Sequence, residues 1–77
     1  MHIGAMEISS DESIPFDQRF LEAMISHHIG AVVMADMALQ ISTREDIRTL
    51  AEAIIADQNA EIDLMRGWLQ KWYAIEE

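Results

Sequence analysis

The sequence predicts an all-α fold: two long helices joined by a short break into an antiparallel hairpin, doubled by a second copy into a four-helix bundle. Three observations predict it. Apolar residues recur at helical spacing through both halves of the 77-residue chain. The single proline, Pro15, precedes the first half, and only Ser42-Thr43-Arg44-Glu45-Asp46 interrupts the pattern. Both halves are apolar over a wider arc than one helix neighbour can cover.

Residues 1–14 read as a flexible leader, polar and acidic around Ser9, Ser10, Asp11, Glu12 and Ser13. His2 is taken there as a solvated histidine. A two-helix domain spans 15–75. Pro15 ends the leader, and Asp17 is the expected N-cap of helix one, with Phe16 and Leu21 at the hydrophobic-staple positions. Helix one is expected over 18–41, with Phe20, Leu21, Met24, Ala31, Ala35, Ala38 and Leu39 as its apolar positions. Gly30 costs about 1 kcal/mol in a helix, and close helix approach is the expected reason for it. Ser42 with Glu45, or Thr43 with Asp46, supplies a capping box for helix two. Helix two is expected over 44–73, with Ile47, Leu50, Ile54, Met65, Trp68 and Trp72 inward and Ala51, Ile55, Ile62 and Leu69 flanking them. A connection this short between long helices makes an antiparallel hairpin.

Composition narrows the partners. Fourteen acidic residues against five Lys plus Arg give a net charge of −9, with no basic patch, which argues against nucleic acid and anionic membrane surfaces. No apolar run approaches the roughly 18–20 residues of a transmembrane helix, and no signal peptide is visible. There is no cysteine, so disulfides and thiolate metal sites are excluded. A chain this short, at 51% hydrophobic content, needs a metal, a second subunit or both to be robust. A homodimer is expected, or a second hairpin supplied by a longer chain.

The chemistry-bearing residues converge at mid-helix. On a wheel of helix one, His27 and His28 fall on opposite flanks of the inward face, with Met24 a turn before both and Met34 two turns beyond His27. On helix two, Glu61 falls at the centre of the apolar stripe, with Gln58 and Met65 a turn to either side. A carboxylate in an apolar stripe must be paired, protonated or bound to a cation. No Lys or Arg maps to either core face, so a histidine or a metal ion is the partner expected for Glu61. Two readings stay open. In one, the His–Glu layer, completed by Gln58, only fixes bundle register and the methionines fill the core. In the other, Met24, His27, His28, Met34, Glu61 and Met65 hold a metal ion. Imidazole with thioether is the ligand set that favours copper(I) over hard cations. Gln58 and Asp17 support the polar layer, Asp17 chiefly as a cap. Adjacent histidines point about 100° apart on a helix, so any shared ion would lie between helices. Nucleophilic catalysis has little support: Ser26 maps to the outer face, and no glycine-rich phosphate loop exists.

Phe16-Asp17-x-x-Phe20-x-x-x-Met24-Ile25-x-His27-His28-x-x-Ala31-x-x-Met34-Ala35, followed by Ile47-Arg48-x-Leu50-Ala51-x-x-Ile54-Ile55-x-x-Gln58-x-x-Glu61-Ile62-x-x-Met65-x-x-Trp68-Leu69, resembles family 305 of the domains of unknown function (DUF305). The resemblance implies a ferritin-like bundle of two hairpins in bacterial exported proteins: secreted, periplasmic or lipid-anchored. Some members bind copper, and the family has no agreed enzymatic activity. By that resemblance His27, His28, Met24, Met34 and Met65 are the positions carried over to copper. This chain has one hairpin where many members have two, which points again to a homodimer. The expectation is a copper-handling extracytoplasmic module. The alternatives are a structural or protein-interaction module and, less supported, a carboxylate–histidine redox enzyme, for which one hairpin is ligand-poor.

Overall fold

A computed structural model of the protein describes residues 7–76. Two helices, α1 (Phe16–Ile41) and α2 (Glu45–Tyr73), pack antiparallel across a three-residue turn. The all-helical hairpin expected from the periodicity is what the chain adopts.

The helix ends differ from expectation. α1 begins at Phe16, with Pro15 as its N-cap and no side-chain cap bond. Asp17 therefore lies inside the first turn, where a carboxylate still favours the positive end of the helix dipole. Proline, with its fixed φ of −52° here, starts the helix without a capping side chain. Neither capping box closes at α2 either. Ser42 Oγ instead accepts from the Arg44 N–H (3.2 Å), which shapes the turn. The C-terminal carbonyls of α1 are served from outside the helix: Arg48 Nη1 donates to Leu39 O and to Ser42 O. α2 ends on Ala74 in the left-handed conformation (φ 57°), and the Ala74 and Ile75 N–H groups donate to the Gln70 and Leu69 carbonyls.

The described part of the leader makes hydrogen bonds within itself and to α1. Arg19 Nε donates to Ile14 O and its Nη1 to Ser9 O, both at 2.9 Å. The Ser13 hydroxyl and backbone N–H both donate to Asp11, and they hold its carboxyl below the usual aspartate range. His2 lies outside the described residues.

The core sits in the half of the hairpin away from the turn. Leu21, Ile25, Ile62, Met65 and Leu69 form one buried cluster, with Met24, Val32, Trp68, Tyr73 and Ile75 packed on it. Toward the turn, Ala35 on α1 and Ala51 on α2 are both buried. The inward stripe of α2 is thus Ala51, Ile62, Met65 and Leu69, with Ile55 and Gln58 half-buried between them. That stripe is displaced one step around the helix from the one the wheel favoured. Ile47, Leu50 and Trp72 are exposed, and so is Glu61. The wheel follows bulk, and the bulk on α2 is spread over two adjoining faces, of which the hairpin covers one.

The hairpin is therefore a single layer, 47 × 27 × 14 Å. Large apolar side chains stay uncovered on α1 as well: Phe16, Phe20, Ile29, Val33, Met34 and Met37. By length and composition α1 is apolar enough to cross a membrane, although the His pair and Asp36 break any uninterrupted run. The same surplus characterises a bundle helix that lacks its outer neighbours.

Candidate functional site at mid-hairpin

The two histidines have different surroundings because one residue turns the side chain about 100° around a helix. His28 faces α2 and is buried. Its Nδ1 donates to the Met24 carbonyl one turn earlier (2.8 Å), an acceptor with no hydrogen of its own, so Nδ1 carries the hydrogen. That contact fixes the ring and leaves Nε2 pointing across the hairpin, 3.0 Å from Glu61 Oε1. One proton lies between the two: either Nε2–H donates to the carboxylate, or a protonated Glu61 donates to Nε2. A backbone carbonyl on Nδ1 with Nε2 projecting outward is also how metal-ligating histidines are commonly held.

Glu61 makes this contact from the rim. Its side chain is 55% exposed, so solvent reaches the carboxylate and the pair is half in water. The sequence placed Glu61 inside the stripe; in the structure it borders the stripe and reaches inward.

His27 points to the other side, 6.0 Å from His28 ring to ring with the planes inclined at 70°. It lines the end of an open apolar groove of about 650 Å³ that runs from mid-hairpin to the turn. Gly30, Ala31, Ala35, Ala38 and Ala51 make the groove shallow-walled, and Met34, Ile47, Leu50 and Ile54 edge it. Gly30 has no close neighbour: a Cβ there would meet nothing within 4 Å. The close approach expected at Gly30 is therefore absent within one hairpin. Two polar atoms at this level are shielded from solvent yet have no partner, His27 Nδ1 and Gln58 Oε1. An unpaired buried polar atom costs roughly 1–3 kcal/mol, so both call for a further ligand or neighbour. The sequence gives no sign of the Gln58 orphan, which depends on side-chain directions.

The remaining candidates divide by burial. Met65 is buried in the core cluster and Met24 packs against it. Met34 is 72% exposed on the groove edge, and Asp17 is exposed at the far end of α1, a long way along the helix from the His–Glu pair. The structure thus brings together His28, Glu61 and the Met24 backbone, sets His27 and Gln58 beside them, and leaves Met34 and Asp17 apart. Among the described residues, no three His, Asp or Glu side chains of one hairpin converge on a point that could hold a metal ion.

No curated protein and no solved structure matches the chain. The family described as a domain of unknown function, DUF305, matches residues 17–77, from the first turn of α1 to the C-terminus and across the whole mid-hairpin layer. The chain belongs to the DUF305 family.

Proposed function

We propose that the protein is a homodimeric, ferritin-like four-helix bundle that binds a metal ion, copper first, through its mid-helix His/Met/Glu layer. The observation that carries this is the contrast between the two adjacent histidines. His28 is pre-oriented by Met24 O with Nε2 projecting, and His27 Nδ1 is buried without a partner. One hairpin offers too few converging donors; two hairpins double the set. Imidazole and carboxylate would hold the ion, and Met24 or Met65 would add the soft thioether that favours copper(I). An extracytoplasmic setting, the one the resemblance implies, would suit a copper-handling module.

The 3.0 Å contact between His28 and Glu61 favours a second reading, a metal-free layer that fixes bundle register. Titration with copper(I) and with copper(II) separates the two, comparing the natural chain with His27→Ala/His28→Ala and checking helicity by circular dichroism. The metal reading expects binding at least tenfold tighter in the natural chain. Equal, weak binding by two folded proteins leaves the register reading. Met24→Leu should weaken copper(I) more than copper(II), because only the softer ion gains from the thioether.

A further inference from the structure

The exposed face of the hairpin has an order along its length. At the open end it is bulky: Phe16 and Phe20 stack on one another (6.2 Å), and so do Trp68 and Trp72 (5.4 Å, planes within 5°). At the turn end it is hollow, the alanine-floored groove edged by Met34, Ile47, Leu50 and Ile54. At 100° per residue, Phe16 and Phe20 share the α1 sector of His27, Ala31, Met34 and Ala38. Trp68 and Trp72 likewise share the α2 sector of Ile47, Leu50, Ile54 and Glu61. Bulk and hollow therefore lie on one face.

Their spacing is symmetric about the polar layer. Phe20 and Met34 stand seven residues either side of His27, and Phe16 and Ala38 eleven either side. Trp68 and Ile54 stand seven either side of Glu61, and Trp72 and Leu50 eleven either side. Seven and eleven residues are close to two and three helical turns, so these partners fall on the same stripe. The face is thus its own complement when turned end for end about His27 and Glu61, as an isologous two-fold interface requires.

We propose that a second copy of this chain docks on this face with its turn at the opposite end, so that the aromatic end of each hairpin fills the groove of the other and the two polar layers meet on the two-fold axis. This rests on the dimer reading above and adds to it the occupant's orientation and the residues each copy brings. The other two-fold arrangement, with both turns at one end, sets groove over groove and aromatic over aromatic. It would enclose a void at one end and splay the helices at the other, and unfilled apolar volume is costly. Two helices side by side, each about 10 Å across, in a chain 47 Å long present a face on the order of 1,000 Å², enough for the ~800 Å² per partner of a stable interface. Rotation about the layer brings His27 opposite His27 of the second copy and Glu61 opposite its counterpart, with Gln58 of each copy within a helical turn of the axis. The site is incomplete without that copy, because His27 Nδ1 and Gln58 Oε1 have no partner within one hairpin.

The chain has no cysteine, so a single introduced thiol carries a spin label cleanly. Thr43→Cys and, separately, Arg44→Cys place the label on exposed positions of the turn. Sedimentation equilibrium of the labelled proteins reads the association state, and pulsed dipolar spectroscopy reads the label separation. Opposed turns predict a dimer with labels separated by about the 47 Å length of the hairpin. A dimer with both labels within roughly 20 Å, about two interhelical spacings, overturns the orientation and spares the dimer. A folded monomer at micromolar concentration overturns the dimer itself.

Discussion

Ala74 holds a positive φ of 57° with a Cβ attached, the one such non-glycine residue among those described. The left-handed region costs an L-residue roughly 1–2 kcal/mol and costs glycine almost nothing. Ile75 supports the bend by packing against the core, so the chain keeps the conformation without its usual residue. Ala74→Gly should raise stability by about 1 kcal/mol in urea unfolding, less what glycine adds to the freedom of the unfolded chain. Leu69 is the opposite case. It is 0% exposed at the centre of the core cluster, and Leu69→Ala should cost about 2–5 kcal/mol by the same measurement. A hairpin this thin has little reserve, so that variant should be largely unfolded at low protein concentration.

At the scale of the helices, the end of α1 depends on a residue of α2. α1 has no basic residue in its last turn, and Arg48 supplies the missing charge and donors from the second helix. Arg48→Ala should destabilise the hairpin by about 0.5–1 kcal/mol in thermal unfolding. Arg44→Ala, which removes the same charge one turn away, should change it less. This contact also shows what the sequence could and could not convey. Both helices were legible because a 3.6-residue period over more than twenty residues admits no other regular structure. That a histidine could partner Glu61 was legible, since no Lys or Arg maps to either core face; which histidine was not, because His28 meets Glu61 only in the register the two helices adopt. Caps were not. Ser42 and Thr43 satisfied the pattern of a capping box, but the turn spends Ser42 on Arg44, and Arg48 takes the carbonyls. The stripe of α2 was displaced because Ile47, Leu50, Trp68 and Trp72 are large. A wheel cannot tell a face turned to the hairpin partner from one turned to a different neighbour. For the same reason Glu61 was expected at a centre and stands at an edge.

For the whole molecule the deciding quantity is how much apolar surface one hairpin leaves uncovered. Its buried hydrophobic residues among those described are Leu21, Ala23, Ile25, Ala35, Ala51, Ile62, Met65 and Leu69, three of them alanine. Against these stand uncovered phenylalanine, tryptophan, isoleucine, leucine, valine and methionine side chains on both helices. Small single-layer units of this kind gain independent stability by association, and their melting temperature then rises with concentration. The two helical glycines make that testable without touching the polar layer. Gly30 and Gly67 are both exposed, and neither would bring a new Cβ within 4 Å of any neighbour in the hairpin. In an isolated hairpin, Gly30→Ala and Gly67→Ala should therefore be equivalent, each stabilising by about 1 kcal/mol through helix propensity. That corresponds to roughly 4–8 °C in a domain of this size. Gly30, however, lines the groove that the aromatic end of a second copy would fill, whereas Gly67 does not. In the dimer a methyl group at Gly30 meets that copy and opposes the propensity gain. Melting at several concentrations should show Gly67→Ala raising the transition throughout. Gly30→Ala should raise it at low concentration and lose that advantage as the dimer populates. Parallel gains for both variants at every concentration would mean that the groove stays open in solution.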